Sequence, residues 1–307
     1  MRILFFGTSE FALPSLERLA AHQHTIAMCV TQPDRPQGRG LRLQPPPVKE
    51  AALRLGLPVS QPERPTATLL EAAKPEVGVV VAYGQLIRRD LLALPRLGMV
   101  GVHPSLLPAY RGAAPVAWAI FNGEATTGVT IFRLVERLDA GPIIRQRPVP
   151  IEPEESAEHL TERLAHLGAE ELVSALDDLA RDRATLTPQQ EADASDAPKL
   201  TKAQGRIDWA APAEVIVRHV RALNPWPGAA TACAGGSMKI VSAAARSTEG
   251  RAAAPGTVLQ AGADGLLIAA GTGAVLVTEV QPAGRRRMTV REFLAGHSVA
   301  MGQRLGE

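Results

Sequence analysis

A chain of 307 residues, 46% of them apolar and 21% charged, is long enough to bury a sizeable core in one large domain or in two. Its formal net charge is +2, and residues 205–307 hold 11 Lys and Arg against 7 Asp and Glu, so a polyanionic partner is allowed but not required. Two distant cysteines exclude a disulfide framework, and no apolar run is long enough for a membrane span or signal segment, so we expect a cytoplasmic protein.

The first part of the chain alternates buried strands with helices. Apolar residues at helical spacing predict helices after the first strand, around Lys49–Leu55 and over Glu155–Arg181. Because several of the strand segments are apolar on both faces, they favour a parallel or mixed sheet covered on both sides. Strands are predicted at Ile3–Phe6, 24–32, Val77–Ala82, Gly98–His103 and Val129–Val135.

The last third of the chain has a different character. A polar segment separates it from the first part, and a predicted helix around Pro212–Leu223 is followed by short strands between Gly and Ala turns. Short strands at this spacing are typical of a small β-barrel. We therefore predict a first domain over residues 1–183, a linker over 184–204 and a second domain over 205–307.

The turn after the first strand limits the choice of cofactor. It reads GTSEF, with the single glycine Gly7, whereas a dinucleotide site requires GxGxxG at this place. A phosphate-binding P-loop is also absent from the sequence. The chain therefore predicts a Rossmann-like sheet that binds neither NAD nor FAD.

One histidine stands at the end of a strand and before a proline-rich segment. His103 ends the run GMVGVH, and ligands of open α/β sheets gather at the carboxyl ends of strands. Asp139 lies in a turn, RLDAGPII, after a later strand. Each residue alone has a plain structural interpretation, as a buried imidazole or a turn aspartate. Together they offer a general base and a carboxylate that orients it.

Longer motifs surround these two residues. The segments HPSLLPAYRGAAP and GVTIFRLVERLDAGPI resemble the folate-dependent formyltransferases. The resemblance covers nearly the whole chain in order, and its further segments are similar to the members that act on methionyl-tRNA. Those segments are MRILFFGTSEFALPSLERL, VTQPDRPQGRGLRLQPPPVKE, VVVAYGQLI, PKLTKAQGRIDW, RALNPWPGA, APGTVL and VQPAGRRRM.

The resemblance implies a fold, a reaction and partners. The implied fold is an α/β, Rossmann-like formyltransferase domain followed by a C-terminal OB-like β-barrel that binds tRNA. The implied reaction moves the formyl group of 10-formyltetrahydrofolate, the co-substrate, to the amino group of methionine on initiator tRNA, for translation initiation. We expect the enzyme to act as a monomer, to need no metal and to have no membrane partner.

The same resemblance assigns roles to individual residues. His103 and Asp139 match the catalytic pair, in which the imidazole donates to the oxyanion of a tetrahedral intermediate and the carboxylate takes the ammonium proton. The apolar side chains near His103 suit a flat pteridine ring. The positions matching the folate-binding residues are Ser105, Leu106, Leu107 and Pro108 after the histidine, and Leu86 and Ile87 in a loop that covers the pterin.

Basic residues form two candidate tRNA-binding regions. An exposed loop as long as Pro33–Glu50 is uncommon unless it is functional, and the family uses an inserted loop here against the acceptor stem. Arginines in a barrel turn and a lysine in the linker are expected to contact phosphates. The residues assigned to tRNA are Arg39, Arg42, Lys202, Arg285, Arg286 and Arg287.

The chain departs from the family pattern at Gly101, where the family has asparagine two residues before the histidine. The asparagine amide would donate to the same oxyanion, and loss of one such donor costs on the order of 10²–10³ in turnover. Because a glycine leaves room for a water, we expect a slow enzyme or a replacement donor. A Gly101→Asn variant tests this expectation.

Two alternatives stay open. A formyltransferase for a small amine, such as an amino-sugar nucleotide or glycinamide ribonucleotide, would share His103 and Asp139 but has no need for the arginine-rich loop or the C-terminal part. A catalytically weak RNA-binding homologue is favoured by Gly101 alone and is opposed by the intact SLLP segment and Asp139.

Overall fold

The structure is a computed structural model that describes residues 1–37, 42–233, 236–247 and 253–306. The chain divides into two compact units. Unit 1 comprises Met1–Pro115, Thr126–Pro150 and Thr161–Pro198, and unit 2 comprises Val116–Ala125, Ile151–Leu160 and Lys199–Glu307. The last change of unit therefore falls inside the segment 184–204, which the sequence predicts as a linker.

Eleven strands are described in unit 1, and seven of them form its central sheet. The strands are β1 (Arg2–Gly7), β2 (Thr25–Val30), β3 (Arg35–Gln37), β4 (Arg42–Gln44), β5 (Val59–Ser60), β6 (Val77–Val81), β7 (Met99–His103), β8 (Arg111–Gly112), β9 (Thr126–Arg133), β10 (Ile143–Pro150) and β11 (Asp196–Ala197). The sheet has the order β10-β9-β7-β6-β1-β2-β5. Its strands from β7 to β5 are parallel, whereas β9 and β10 are antiparallel to their neighbours.

Helices cover both faces of this sheet, as its doubly apolar strands predict. The helices of unit 1 are α1 (Leu13–Ala20), α2 (Pro47–Arg54), α3 (Ala67–Ala73), α4 (Arg89–Leu92) and, after its first turn, α6 (Ala157–Ala180), with a 3-10 turn at Glu191–Asp193. Helix α5 (Pro115–Asn122) belongs almost entirely to unit 2. Alternate residues of β1 enter different cores: Phe5 packs in a cluster that includes Leu172 of α6, and Phe6 in a cluster that includes Leu70 of α3. The predicted Rossmann-like α/β sheet is confirmed.

The segment Pro33–Glu50 is more ordered than the long exposed loop predicted from the sequence. Strands β3 and β4 pair as an antiparallel hairpin, and α2 begins at Pro47, where a proline is tolerated in the first turn. Lys49 Nζ lies 2.7 Å from Asp34 Oδ2 and so joins the helix to the start of the segment. The sequence predicts a long exposed loop before a helix around Lys49–Leu55, and the structure places a hairpin in that loop and begins the helix two residues earlier.

Unit 2 contains a separate antiparallel sheet. Its elements are α7 (Ala213–Ala222), β12 (Ala229–Cys233), β13 (Gly236–Arg246), β14 (Val258–Gly262), β15 (Gly265–Ala269), β16 (Ala274–Pro282), β17 (Met288–Thr289) and α8 (Val290–Leu294). The order is β12-β13-β16-β15-β14, with β17 beside β16. The N–H of Leu305 donates to the carbonyl of Gly256, and that of Gly306 to Ala232, so the C-terminal segment joins the two edges of the sheet.

A helix that crosses a membrane must be both long and apolar. Within the described part of the chain, no helix has both the length and the apolar character that crossing a bilayer demands.

Candidate active site

Loops that follow four parallel strands meet at one edge of the unit 1 sheet. The side chains of Thr8, after β1, and Gln32, after β2, both donate to the carbonyl oxygen of Tyr83, at 2.8 Å each. These bonds fix the turn after β6 that leads to the predicted folate-binding residues Leu86 and Ile87. Because β7 is parallel to β6, His103 ends its strand at the same edge.

One nitrogen of the His103 imidazole is hydrogen-bonded, and the other lies near a carboxylate. Its Nε2–H donates to the carbonyl oxygen of Tyr110 at 2.8 Å, and its Nδ1 lies 3.7 Å from Oδ2 of Asp139. The two side chains are 7% and 14% exposed, so the pair is shielded from water but still reachable. The spatial meeting of the two residues, 36 positions apart in the chain, is what the sequence motifs predict.

Both residues that face the His103 nitrogens have left-handed backbone conformations. Tyr110 has φ of 62° and Asp139 has φ of 50°, which for residues other than glycine are uncommon and must be stabilised by their surroundings. Gly112 supplies part of that stabilisation, since its N–H donates to Asp139 Oδ2 at 2.9 Å. Only glycine fits there, because a Cβ would lie 2.6 Å from the carbonyl oxygen of Ala197.

Burial dominates the protonation of His103. Desolvation lowers the pKa of the imidazole from its ordinary 6.5, and the Asp139 carboxylate and the Tyr110 carbonyl oppose part of this effect. The ring is therefore neutral at pH 7. Because a carbonyl can only accept, the proton of the neutral ring is on Nε2 and the lone pair is on Nδ1. The Nε2–H is already bonded to the carbonyl of Tyr110, so it is not available to donate to an oxyanion as the resemblance implies. The geometry instead favours Nδ1 as a proton acceptor.

Residues from the predicted linker support the turn that carries Asp139. The amide nitrogen of Gln189 donates to the carbonyls of Asp139 (2.8 Å) and Gly141 (2.7 Å). Its amide oxygen accepts from the buried guanidinium of Arg111 at 2.7 and 3.1 Å, and Glu191 pairs with the same guanidinium at 2.9 Å. The hydrogen bond from Arg111 lowers the pKa of Glu191 from its ordinary value.

No feature of the sequence indicates these supporting residues. The segment 184–198 is polar and reads as a linker, yet β11 pairs with β8, and Thr187 exchanges two backbone hydrogen bonds of 2.8 Å with Ile143. Long-range hydrogen bonds, rather than an apolar pattern, hold this segment on unit 1, so periodicity could not reveal it.

The segment Ser105–Pro108 is fixed by bonds to the strands beside it. The hydroxyl of Thr130 donates to the carbonyl of Ser105 at 2.6 Å and accepts from the N–H of Leu107 at 3.0 Å. Gln146 donates to the carbonyl of Leu107 at 2.8 Å, and the Ser105 hydroxyl donates to Ala109. Because these backbone groups already have partners, they hold the loop in shape rather than await a ligand.

The apolar side chains predicted to contact folate differ in exposure. Leu107 is buried, and Leu106, half-buried, packs over Gly128 of β9. Ile87 packs against a cluster of core residues. Leu86 is 73% exposed and lies in the turn after β6, at the edge of the sheet where β7 ends with His103. Leu86 is therefore the member of this set with the most apolar surface left for a ligand.

Gly101 lies on the same strand as His103, opposite Phe132 of β9. A Cβ added at Gly101 would lie 2.7 Å from Cε1 of Phe132 and 2.8 Å from Cδ1 of Leu134. The expectation that glycine leaves room for a water was wrong, because the Phe132 ring fills that space. The same ring stands edge-on to the His103 imidazole, with 6.4 Å between centroids.

The residues predicted to bind tRNA fall in both units. Arg42 is exposed at the start of β4 in unit 1, and Arg39 lies outside the described residues. In unit 2, Lys202 is exposed at the start of a 3-10 helix, Lys202–Gly205.

The three arginines between β16 and β17 are all exposed but differ in their partners. Arg286 lies 2.8 Å from Glu292, and Arg287 pairs with Glu279. Within the described residues, Arg285 is the one of the three whose side chain has no ion pair. A phosphate would compete with a carboxylate at Arg286 and Arg287, so Arg285 is the best placed to bind one.

Comparison with protein families and named proteins gives matches along the chain. A family model described as formyl transferase matches residues 1–176, and one described as formyl transferase, C-terminal domain, matches residues 199–298. The methionyl-tRNA formyltransferase of Chloroflexus aurantiacus is 48% identical, with all of both chains covered. That of a Roseiflexus species is 46% identical, with 100% of this chain and 96% of the relative covered.

Solved structures show the same fold at low identity. HypX from Aquifex aeolicus, in complex with tetrahydrofolic acid, is 22% identical with a TM-score of 0.62 over 96% of this chain and 47% of HypX. WlaRD, a sugar 3N-formyl transferase solved with dTDP and 5-N-formyl-THF, is 15% identical with a TM-score of 0.66 over 93% of this chain and 99% of that one. At these identities the likeness concerns the fold alone.

We predict that Gly101→Asn on its own destabilises the protein by about 1–3 kcal/mol, because the new side chain must displace Phe132 and Leu134. Adding Phe132→Leu shortens the obstructing side chain and recovers part of the loss. Urea unfolding measures both effects. Gly262→Asn is the matched control, since no atom lies within 4 Å of a Cβ there. An unchanged unfolding free energy for Gly101→Asn would contradict the packing.

We predict that Gln189→Ala and Gln189→Glu both lower kcat by about 10–100-fold, because Asp139 loses the donor that fixes its turn. The glutamate variant keeps an acceptor for Arg111 but loses the donor to the turn of Asp139. It therefore distinguishes the two roles of Gln189. Steady-state kinetics well below the unfolding temperature measure the effect. The exposed neighbour Gln190→Ala is the control. Equal kcat in the wild type and the glutamate variant would exclude this role.

Proposed function

Because the chain belongs to the formyl transferase family, we propose that it transfers a formyl group to the amino group of methionyl-tRNA, with 10-formyltetrahydrofolate as donor and the initiator tRNA as acceptor. Relatives of that name match this chain over its full length at 44–48% identity. The observation that carries the proposal on the chemical side is the buried pair of His103 and Asp139 at the carboxyl edge of the sheet.

The reaction needs a group that moves one proton. A bond forms between the amine nitrogen and the formyl carbon, the bond from that carbon to the folate nitrogen breaks, and the proton lost by the attacking amine ends on the leaving nitrogen. His103 Nδ1 accepts that proton and returns it, and Asp139, 3.7 Å away, stabilises the imidazolium in between. The new Nδ1–H can also donate to the formyl oxygen as negative charge develops on it.

The loops around the pair fit a flat, partly apolar co-substrate. Leu86 offers exposed apolar surface on one side, and the fixed backbone of Ser105–Pro108 forms a wall that needs no reordering when a ligand binds. When bound there, the folate supplies the formyl group. Ser105, Leu107 and Pro108 act in this proposal by shaping the wall, while Leu86, Ile87 and Leu106 face the ligand.

Exposed basic side chains support a polyanionic acceptor. Arg42 in unit 1 and Lys202 and Arg285 in unit 2 are each available to a phosphate oxygen. Arg286 and Arg287 would have to exchange their carboxylate partners for phosphates, so we assign them a smaller part of the binding energy. Arg39 lies outside the described residues, so its assignment to tRNA binding rests on the sequence alone.

Neither alternative is favoured. An amino-sugar substrate is named for a solved structure that is 15% identical, far below the full-length relatives named for methionyl-tRNA. The alternative of a weak RNA-binding homologue rested on the absence of the family's asparagine at position 101. Packing against Phe132 accounts for the glycine there, and His103 and Asp139 are both in place.

Single-turnover transfer from 10-formyltetrahydrofolate tests the proposed function. We expect the wild type to formylate initiator methionyl-tRNA faster than elongator methionyl-tRNA, and to leave a dTDP-amino sugar unmodified. His103→Ala should lower the rate by about 10²–10⁴ because the proton acceptor is lost, whereas the exposed His159→Gln should leave it unchanged. Formylation of the amino sugar alone, or full activity without His103, would overturn the proposal.

A further inference from the structure

A second group of titratable side chains lies far from the candidate active site within unit 1. His22 and His24 lie in the turn between α1 and β2, and Asp177 lies in the last turn of α6. The turn is at the amino ends of β1 and β2, the edge of the sheet opposite to the one that carries His103. Formyl transfer as described above uses none of these three residues.

The three side chains offer three ligand atoms to one point. His24 Nε2 lies 3.3 Å from Asp177 Oδ1, and His22 Nε2 lies 3.9 Å from Asp177 Oδ2. All three ligand atoms lie within 4.8 Å of one another. Ligands of a tetrahedral zinc at bond lengths of about 2.0–2.1 Å are about 3.3 Å apart, so the His24–Asp177 pair already has that spacing.

His24 has a buried ring nitrogen that is available to a cation. Its side chain is 2% exposed, and among the described residues no group forms a hydrogen bond with its Nε2, although Asp177 Oδ1 lies 3.3 Å away. The other ring nitrogen, Nδ1, lies 3.3 Å from the amino nitrogen of Met1. A cation bound at Nε2 requires the ring proton on Nδ1, so the Met1 amino group must then accept as a neutral amine, and binding releases one proton. A buried ring nitrogen without a partner is costly, and a bound cation would remove that cost.

We propose that His22, His24 and Asp177 bind one divalent cation of the zinc class. His24 and Asp177 need little movement, and His22 must approach by about 1 Å, which its 29% exposed side chain permits. A water or the nearby Gln23, 3.5 Å from Asp177, completes the coordination. Two imidazoles and one carboxylate suit zinc, whereas magnesium and calcium prefer all-oxygen sites.

The cation acts as a structural clip in this arrangement. It joins the turn before β2 to the end of α6, two parts of unit 1 that are far apart in the chain. Because the three ligands meet only in the folded chain, zinc stabilises the folded state and raises its melting temperature with concentration. The resemblance to the folate-dependent formyltransferases implies that the reaction needs no metal, and this clip takes no part in the reaction.

Calorimetric titration of the full chain with ZnCl₂, and separately with MgCl₂, tests the proposal. We expect one equivalent of zinc to bind and magnesium not to bind. His22→Gln and Asp177→Asn should each weaken zinc binding by at least about tenfold and abolish the zinc-dependent rise in melting temperature. His166→Gln, an exposed histidine on the same helix as Asp177, should bind zinc as the wild type does.

Three results would overturn the site. The first is no zinc binding by the wild type, which would leave His24 and Asp177 as a simple ion pair. The second is binding that His22→Gln and Asp177→Asn leave unchanged. The third is equal loss of binding in His166→Gln, which would place the cation elsewhere on the surface.

Discussion

The site depends on one constraint: the His103 imidazole is anchored at Nε2 and faces a carboxylate at Nδ1, and both partner residues have uncommon backbone conformations. The Tyr110 carbonyl fixes the proton on Nε2, and the Asp139 carboxylate faces Nδ1. Both residues have positive φ, so their positions are set by the surrounding structure rather than by local preference. Burial keeps the ring neutral, and its one lone pair then points toward the carboxylate.

The turns that contain Tyr110 and Asp139 are stabilised by residues that are far away in the sequence. Gln189 uses all of its side-chain hydrogen-bonding capacity on the turn of Asp139 and on Arg111, and Glu191 neutralises the buried guanidinium. A segment that is polar and lacks periodicity thereby becomes part of unit 1, which contains the candidate active site. Its order comes from specific long-range bonds, each of modest net strength but costly to leave unmade in a buried place.

Much of this could be predicted from the sequence, and the failures have physical causes. The end of β7 located His103, because ligands gather at the carboxyl edge of a parallel sheet. Asp139 was located by its turn motif, since the strand before it, β9, is antiparallel to β7. The role of Gln189 could not be predicted, because hydrogen bonds between segments far apart in the chain produce no periodic pattern of apolar residues. The expectation of a water beside Gly101 failed for a related reason. The Phe132 ring that fills this space belongs to the neighbouring strand, and the residues around Gly101 in the sequence do not reveal such packing.

The central claim is that neutral His103 presents a lone pair at Nδ1. Nitrogen-15 NMR of the His103 ring in the full chain, followed through a pH titration, tests it most directly. The account predicts a proton on Nε2 at pH 7 and a pKa below 6.5, lowered further in Asp139→Asn because the carboxylate opposes the effect of burial. The exposed Asp264→Asn should change neither. A proton on Nδ1 at pH 7, or a pKa above 6.5, would contradict the account.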